Sequence, residues 1–436
     1  MSGRVLSSEL HDHVGQNVCI KGWLHKKRLL GGLTFINVRD RRGVTQVLIQ
    51  DKNEVEKLRG LQIGTVLTVN GQVVDEPRSP IGVEIHDPVI TVDAPVTDEP
   101  PIEIDKPIQH RSENLDTLFE NRVLNIRNIQ EQKIFKIRAS LTRYLREFLQ
   151  ENEFIEIDTP KLLAGATEGG AEVFQLDYFG KTATLAQSPQ FYKQIMVGAY
   201  ERVFEIAHSY RAEPSATTRH LTELTMLDIE MGFVDSHEEV MMMVANMTKY
   251  ALNKVYEESA DDLKVLNAPE LKLTDEVPSF SIAQIHEMYS NATKTDVTDE
   301  KDLTPDEERW IAEHARKEMG SDLVYATDFP AEAGKFYHKF KDDGTVAWAD
   351  LLFRGLEIAT VPLRENNYEK MIQQMTDAGL DVNHEGFKYY LQAFKYGLPQ
   401  HGGCGFGVDR LAQKTIGLAN VKEATLFPRD INRLTP

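Results

Sequence analysis

Two segments in the middle of the chain alternate apolar and polar residues, with a short polar stretch between them. ERVFEIAHSYRAE covers residues 201–213, and TELTMLDIEMGF covers residues 222–233. Such alternation is typical of strands, and two such strands joined by a stretch rich in Ser, Thr and Pro predict an antiparallel hairpin. The connection, RAEPSATTRHLTE, carries three basic side chains, Arg211, Arg219 and His220.

These basic side chains need an explanation because the chain has a formal net charge of −19. An anionic ligand would explain them, and solvated surface residues are the alternative. Since side chains alternate along a strand, Arg211 and Glu213 are predicted to share one face. An arginine there can hold a phosphate oxygen while the neighbouring carboxylate accepts from an exocyclic amine. A cross-strand salt bridge is the other interpretation.

The bulk properties of the chain place few further limits on its function. The length of 436 residues predicts two or three domains. Cys19 and Cys404 lie far apart in sequence, which argues against a disulfide framework and is typical of a reducing cytosol. No apolar segment resembles a signal peptide or reaches the ~18 residues that a membrane span needs. We therefore expect a cytoplasmic protein with no membrane partner.

The first part of the chain reads as short strands separated by turns. Five alternating segments within residues 15–95 predict a small closed barrel, of which the OB-fold is the commonest module with a nucleic-acid role. Residues 1–50 carry eight Lys and Arg against three acidic residues. Trp23, His25 and Phe35 lie among these cations, which suits stacking on bases. A barrel without a ligand is the alternative.

Composition also predicts where the domains meet. Residues 92–108 are rich in Pro and acidic residues and indicate a linker. Apolar residues at helical spacing predict a helix over residues 134–154. The predicted organisation is a barrel domain at 1–95, a linker at 96–130 and a larger domain at 131–436.

Two acidic residues lie in DLLFRGLEIATV, which reads as one strand over residues 350–361. Asp350 and Glu357 would lie on opposite faces of a regular strand unless a bulge, for example at Gly355, intervenes. Two carboxylates beside phosphates suit Mg²⁺, which binds through one or two carboxylates and substrate oxygens. Solvated acidic side chains are the alternative.

A glycine-rich strand that runs into a helix is predicted for GCGFGVDRLAQKTIGL, residues 403–418. Gly405 and Gly407 leave the strand surface without side chains, so that a flat ring can lie against the backbone. Arg410 follows at the start of the helix. The stretch matches neither the Gly-x-Gly-x-x-Gly nor the GxxxxGK[ST] phosphate motif.

Taken in order, these stretches resemble the three motifs of the class II aminoacyl-tRNA synthetases. FIEIDTP is similar to motif 1, VFEIAHSYRAEPSATTRHLTELTMLDIEM to motif 2, and GFGVDRL to motif 3. ATEGGAEVF, LAQSPQFYKQIM and LFPRDINRLTP resemble more narrowly the aspartyl-tRNA synthetases of archaeal type, which also occur as second copies in some bacteria. The resemblance covers essentially the whole chain. It implies an α+β protein, with an N-terminal OB-fold barrel for the anticodon and a catalytic domain built on an antiparallel sheet flanked by helices.

The resemblance also implies a reaction and a nucleotide site. The carboxylate of the amino acid attacks the α-phosphate of ATP, and a terminal hydroxyl of tRNA then attacks the aminoacyl carbonyl. Arg211 and Arg410 are the expected catalytic pair, at the α-phosphate and beside the adenine and triphosphate. Asp350 and Glu357 are expected to hold Mg²⁺. The expected ATP-binding residues are Arg211, Glu213 (adenine amine), Arg219 and His220 (γ-phosphate), Glu357, Gly407 and Arg410.

The same resemblance implies an aspartate site and a homodimer. Lys193 and Arg364 are expected to pair with the side-chain carboxylate, and Lys193 to distinguish a full charge from an amide. Gln190 and Asp228 are expected at the α-amino group, and Glu168 in a loop that closes over the amino acid. In the family, motif 1 forms much of the dimer interface, so a homodimer is expected.

The chain departs from the family pattern in EIATVPLREN, residues 357–366. Relatives usually carry EISSGGQRxHR there, so Val361, Pro362 and Leu363 replace two glycines and a polar residue, while Arg364 stays in register. Val and Pro add bulk, and Pro removes a backbone donor. The departure predicts a weakened or altered activation of the amino acid.

The expected anticodon-binding residues are His25, Phe35, Gln46 and Pro80. Phe35 and Gln46 lie where the family stacks on and reads the central base, and His25 and Pro80 resemble relaxed enzymes that charge both tRNA-Asp and tRNA-Asn. The predicted function is ATP-dependent charging of tRNA-Asp with aspartate, with tRNA-Asn left open as a further substrate. Two alternatives remain: an asparaginyl-tRNA synthetase, and a synthetase-derived paralogue with another amino acid or with an adenylate-forming or RNA-binding role outside translation.

Overall fold

A computed structural model divides the chain after Glu131 into two units, Met1–Glu131 and Gln132–Pro436. None of the helices among the described residues combines the length and the apolar composition of a membrane span. The described residues are 3–30, 33–164, 172–215 and 217–436.

The first unit is built on a closed five-stranded barrel, as the alternating segments predict. Its elements are β1 Asn17–Leu30, β2 Leu33–Arg39, β3 Val44–Ile49, α1 Lys52–Arg59, β4 Val66–Asp75, β5 Val83–Ala94, α2 Leu115–Glu120 and α3 Arg122–Asn125. The strands are hydrogen-bonded in the order β1-β2-β3-β5-β4. Because side chains alternate along a strand, one face of each fills a core that includes Leu24, Ile36 and Val47. The barrel prediction is confirmed.

Some of the basic residues in the first fifty are engaged within the barrel unit itself. Lys27 Nζ donates to the carbonyls of Leu58, Arg59 and Leu61 at 3.3, 3.1 and 2.7 Å, which caps the C-terminal end of α1. Arg39 is buried with its guanidinium 4.6 Å above the ring of Trp23, and Arg4 donates to the carbonyl of Lys21 at 2.6 Å. These cations therefore stabilise the barrel.

The segment predicted as a linker carries its own structure. Within residues 96–130, α2 and α3 form, and Ile102, Ile104 and Leu118 build a small apolar cluster against which Ile63 packs. The first unit therefore extends through this segment to Glu131.

The second unit is built on an eight-stranded sheet and a smaller three-stranded one. Its strands are β6 Ile155–Glu156, β7 Leu162–Leu163, β8 Gln175–Tyr178, β9 Lys181–Leu185, β10 Arg202–Tyr210, β11 Glu223–Gly232, β12 Ser279–Ser281, β13 Leu323–Thr327, β14 Trp348–Phe353, β15 Glu357–Pro362 and β16 His401–Gly407. The helices are α4 Ile129–Glu151, α5 Gln190–Tyr200, α6 His237–Glu258, α7 Ala260–Val265, α8 Ile282–Thr293, α9 Pro305–His314, α10 Tyr368–Asp377, α11 Lys388–Lys395 and α12 Val408–Ile416.

The strand order confirms a mostly antiparallel sheet. The large sheet runs β12-β13-β14-β15-β16-β11-β10-β6, and the small sheet runs β7-β9-β8. In the large sheet the two end pairs, β12–β13 and β10–β6, are parallel, and the pairs between them are antiparallel. The helices pack around this sheet, in agreement with the α+β class expected from the sequence.

The predicted hairpin is confirmed within the large sheet. β10 pairs with β11 from Arg202↔Met231 to Tyr210↔Glu223. Because β10 ends at Tyr210, the residues that follow lie in the connection and not on the strand. The glycine-rich stretch is also confirmed, since β16 pairs with β11 and runs directly into α12.

The prediction of one strand over residues 350–361 is wrong. The segment is a hairpin in which β14 and β15 are joined by a turn at Gly355, whose φ of 75° lies in the left-handed region that favours glycine. The register pairs Asp350 with Thr360, so that Asp350 and Glu357 belong to neighbouring strands. A chain reversal therefore stands at Gly355 where the sequence suggested a bulge, and the register shift of this hairpin lies between Leu351 and Leu352.

Candidate active site

A cavity of about 540 Å³ in the second unit collects most of the predicted site residues. Its walls come from β11, β15 and β16, from the β10–β11 connection and from the start of α5 and α12. Of the predicted residues, those that line it are Gln190, Lys193, Arg211, Glu213, Arg219, His220, Asp228, Glu357, Arg364, Gly407 and Arg410.

One described residue of the predicted site, Asp350, is not part of the cavity lining. Asp350 is buried, and its Oδ1 accepts a hydrogen bond from Trp348 Nε1 at 2.7 Å; the lining residue here is Trp348. Glu168 lies outside the described residues, so its predicted role stays a prediction.

Side-chain alternation decides which residues of the Val-Pro-Leu departure reach the cavity. Thr360, Pro362 and Arg364 line it. Val361 is fully buried, and its carbonyl accepts from His237 Nε2 at 2.7 Å. Of the three substituted positions, Pro362 is therefore the one whose side chain can change the shape of the cavity.

One end of the cavity is lined by the β10–β11 connection. Arg211 Nη1 lies 3.9 Å from Glu213 Oε1, and His220 Nε2 lies 3.8 Å from Glu213 Oε2. His220 Nδ1 also lies 2.6 Å from the hydroxyl of Thr217. Burial and the charge of Arg410 lower the pKa of His220, so its ring is neutral near pH 7. The end that holds Arg211 thus offers loosely paired donors, as an anionic ligand requires.

The second predicted arginine of this end is tied to a carboxylate. Arg410 Nη1 donates to the carbonyl of Glu357 at 2.9 Å and to its Oε2 at 3.0 Å. Burial would raise the pKa of Glu357, but the charges of Arg410 and Arg211 and the hydrogen bond from Thr360 together outweigh it, and the pKa is lowered. For Asp350, burial and the nearby charge of Glu357 both act in one direction and raise the pKa well above its usual range.

The pair Asp350 and Glu357 can be tested as a site for Mg²⁺. Among the described residues, no group of three or more His, Cys, Asp or Glu side chains is placed to hold a metal ion by itself. Mg²⁺ needs fewer, because it usually keeps waters and binds through one or two carboxylates and substrate phosphates. Glu357 lines the cavity, and Asp350 pairs across the hairpin with Thr360, whose hydroxyl donates to Glu357 Oε1 at 3.1 Å. Both carboxylates thus lie beside Thr360, and the pair fits Mg²⁺ that arrives with a phosphate ligand.

The other end of the cavity holds two buried ion pairs. Lys193 Nζ donates to Asp228 Oδ1 at 2.8 Å and to the carbonyl of Cys404 at 2.9 Å. Arg364 donates from Nε and Nη2 to the two oxygens of Glu230, at 2.9 and 3.2 Å. Burial would raise the pKa of Glu230, but Arg364 and Lys193 outweigh it and the pKa is lowered. The four charges cancel, and Asp228, which lines the cavity, already accepts from Lys193 through Oδ1.

Hydrogen bonds between uncharged side chains support the end of the cavity that holds Lys193 and Arg364. Gln190 Nε2 donates to Gln194 Oε1 at 2.8 Å, and Gln194 Nε2 lies 2.8 Å from His401 Nε2. His401 Nδ1 lies 2.7 Å from the carbonyl of Pro399, so it carries the proton and Nε2 accepts. Burial lowers the pKa of His401, in agreement with a neutral ring. The direction of every donor in this chain is therefore fixed.

Several residues of the cavity were not predicted from the sequence. Glu230 lies two positions after Asp228 on β11, so strand alternation was a signal that would have found it. Tyr337, His338 and Trp348 line the cavity, whereas Glu308 of α9 binds Arg219 from behind the lining. No local pattern marks these four, because they reach the site through long-range packing.

The predicted anticodon residues lie in the first unit. Phe35 on β2 pairs with Leu48 on β3, and Asn37 pairs with Gln46, so Phe35 and Gln46 share the outward face of the barrel. Gln46 Nε2 donates to Glu84 Oε2 at 2.7 Å, a contact that the sequence did not predict.

The other two predicted anticodon residues lie on β1 and in the connection between β4 and β5. His25 lies at the register shift of β1, where burial and the charge of Arg39 lower its pKa. Pro80 is exposed in the connection between β4 and β5. The four predicted residues thus lie on β1, β2, β3 and one connection of the same barrel.

Comparisons with known proteins agree with this architecture. Residues 114–431 match the family model of class II tRNA synthetases (D, K and N), and residues 18–93 match that of the OB-fold nucleic acid binding domain. The aspartate–tRNA(Asp/Asn) ligase of Thermus thermophilus is 38% identical over 436 residues, which cover 99% of this chain and 100% of that protein. The aspartate–tRNA(Asp) ligase of Pyrococcus abyssi is 38% identical over 438 residues, 99% of each chain.

A solved structure extends the likeness to three dimensions. The asparaginyl-tRNA synthetase of Pyrococcus horikoshii, in complex with asparaginyl-adenylate, superimposes with a TM-score of 0.92 at 28% identity over 100% of both chains. Since the family model covers the whole second unit up to residue 431 and the relatives match along the full chain, this chain belongs to the class II tRNA synthetases of the D, K and N group.

Proposed function

We propose that the protein is an aminoacyl-tRNA ligase that activates aspartate with ATP and transfers it to tRNA-Asp. The observation that carries the proposal is that one cavity is lined both by Arg211 and Arg410 and by the buried cations Lys193 and Arg364. A phosphate-bearing ligand and a small acidic ligand can therefore meet inside it. The full-length likeness to aspartate–tRNA ligases supports aspartate over the other amino acids of the family.

The first step in this proposal is attack of the amino-acid carboxylate on the α-phosphate of ATP. The chain supplies no nucleophile; its contribution is position and charge. Arg211 and Arg410 would neutralise the charge that develops on the α-phosphate and on the leaving pyrophosphate. Mg²⁺ would neutralise further triphosphate charge, and Asp350 and Glu357 are the residues that would hold it. In the second step, a terminal hydroxyl of tRNA takes the aminoacyl group from the adenylate.

The barrel unit is proposed to bind the anticodon. Phe35 offers a half-buried ring on the outward face, and Gln46 offers an amide whose direction is set by Glu84. His25 and Pro80 support charging of tRNA-Asn in addition to tRNA-Asp, as do relatives whose names include both tRNAs. A cytoplasmic location accords with such a role in translation.

We also propose a homodimer. In members of the family the motif 1 segment, which corresponds to α4 and β6 here, forms much of the two-fold interface. Ile155 and Leu162 are large apolar side chains that stay 47% and 49% exposed in the single chain. An obligate two-fold interface buries more than roughly 2,000 Å². Sedimentation of a monomer at micromolar concentration would contradict this part.

ATP–pyrophosphate exchange across the twenty amino acids, with and without tRNA, tests the function. Aspartate should give the highest exchange. Arg211→Ala and Arg410→Ala should each lower it by about 10²–10³-fold, as the loss of a transition-state charge partner does elsewhere. Arg309→Ala, a change at a 60% exposed surface arginine, is the matched control and should keep normal exchange. Highest exchange with asparagine would support the asparaginyl alternative, and no exchange with any amino acid would support a non-translational paralogue.

A further inference from the structure

The cations of the cavity differ in whether they already have a counter-ion. Five of the six Lys and Arg side chains that line it lie within 3.9 Å of a carboxylate: Lys193, Arg211, Arg219, Arg364 and Arg410. Among the residues that the structure describes, Lys335 is the lining cation without such a partner. It is exposed to solvent while it lines the cavity, so it lies at the mouth.

Lys335 belongs to a short wall that touches the buried arginine. The backbone N–H of Lys335 donates to His338 Nδ1 at 3.2 Å, and His338 forms a β-bridge with Arg364. The ring of Tyr337 lies 5.3 Å from the guanidinium carbon of Arg364. Residues 335–338 therefore border the end of the cavity that holds Lys193 and Arg364.

The proton of His338 has a fixed position. Because Nδ1 accepts from a backbone N–H, the neutral ring must carry its proton on Nε2. His338 is 4% exposed and lines the cavity, with its ring centre 5.6 Å from that of Trp348. It is thus a neutral donor on the cavity wall, held in orientation by its own backbone segment.

The two buried ion pairs leave an anionic ligand without a balancing charge. Lys193 and Arg364 are neutralised by Asp228 and Glu230, so a second carboxylate brings a net negative charge into a neutral, buried region. Such a charge is unfavourable unless donors and a cation compensate it. His338 can supply a donor, and Lys335 can supply a charge.

We propose that Lys335 and His338 are specificity-determining residues that favour an amino acid with an anionic side chain over its neutral amide. The inference rests on the proposed activation of aspartate and names the part of the site that reads its charge. Lys335 acts from the mouth through charge, and His338 acts from the wall through a hydrogen bond.

The test is the ratio of kcat/KM for aspartate to that for asparagine in ATP–pyrophosphate exchange. Lys335→Met should lower the ratio by about threefold, the size expected for one exposed charge, and the effect should shrink as salt is raised. His338→Phe keeps a ring but removes the donor, and should lower the ratio by about tenfold. Lys335→Arg and His338→Gln keep the charge and a donor, and should keep most of the ratio.

The ratio distinguishes a loss of specificity from damage to the fold, because a loosened cavity would lower kcat/KM for aspartate and for asparagine alike. Lys341→Met is the matched control: Lys341 lies in the same stretch at 35% exposure, pairs with Asp328 and does not line the cavity. An unchanged ratio in Lys335→Met and His338→Phe, with wild-type protein active on aspartate, would overturn this inference alone. A wild-type protein that prefers another amino acid would overturn the proposed function and this inference with it.

Discussion

Glu308 holds Arg219 through both carboxylate oxygens, which lie 2.6 and 2.5 Å from Arg219 Nη2. The pair joins the β10–β11 connection to α9, and the same carboxylate accepts from the N–H of Glu357 at 3.3 Å. Burial raises the pKa of Glu308, while the charge of Arg219 opposes the rise. Arg219 is the arginine predicted for the γ-phosphate, so its charge is already engaged before a nucleotide binds.

The Glu308 contact predicts a competition between a carboxylate and the triphosphate. Glu308→Gln should lower KM for ATP by about threefold, because a neutral amide holds Arg219 less strongly and no longer repels phosphate. Exchange kinetics at varied ATP would measure this. In an Arg219→Ala background the same change should have little effect on KM for ATP, because the arginine for which Glu308 and the triphosphate compete is gone. A higher KM in the single variant would mean that Glu308 positions Arg219 instead.

The Val-Pro-Leu departure predicts two separate effects. Pro362→Gly should raise kcat/KM for aspartate, because Pro362 lines the cavity and the change restores space and a backbone donor. Val361→Ala should leave kcat/KM nearly unchanged but lower the free energy of unfolding by roughly 1.5–3 kcal/mol, since the side chain is fully buried away from the cavity. Exchange assays and urea unfolding of both variants distinguish the effects. Equal losses of stability in Pro362→Gly and Val361→Ala would contradict the assignment of Pro362 to the cavity face and Val361 to the buried face of β15.

Lys193 is predicted to affect stability as well as specificity. Lys193→Met would leave Asp228 buried without its cation, which typically destabilises a protein by about 3–5 kcal/mol. The midpoint of urea unfolding should therefore fall. In the double variant Lys193→Met/Asp228→Leu, both charges are gone and most of the loss should be recovered. If the single variant unfolds like the wild type, the ion pair is not what holds this end of the cavity.

The stability that neutral His338 and His401 contribute is predicted to fall as pH drops below about 6.5. Burial lowers the pKa of His338 well below its usual 6.5, with the charge of Arg364 acting in the same direction, and burial likewise lowers that of His401. Between pH 6.5 and these lower values the unfolded chain binds protons that the folded chain does not, so the free energy of unfolding decreases. Urea unfolding from pH 7.5 to 5.5 measures the slope. His338→Gln should make it shallower, and an unchanged slope would contradict the prediction.

The sequence predicted those parts of the fold and site that depend on local pattern. The β10–β11 hairpin follows from alternation, and the step from β16 into α12 follows from glycines before a helical stretch. The turn at Gly355 was missed because a glycine inside an alternating run can mark either a bulge or a reversal. The engagement of Arg364 by Glu230 and of Arg219 by Glu308 was not predicted, since these partners lie 134 and 89 residues apart.

The cap that Lys27 forms on α1 affects how strongly the binding of a nucleic acid to the barrel unit should depend on salt. Affinity for a nucleic-acid strand grows with the counterions it releases, and each phosphate neutralised on a single strand adds about −0.7 to the slope of log K against log salt. Lys27, Arg4 and Arg39 are held by carbonyls or by a ring, so they displace few counterions. The remaining cations of the first fifty residues, Lys21, Lys26, Arg28, Arg41 and Arg42, are all exposed. The first fifty residues should therefore contribute about five available charges to the salt dependence, and the preference of the barrel among tRNAs should depend on base contacts more than on charge.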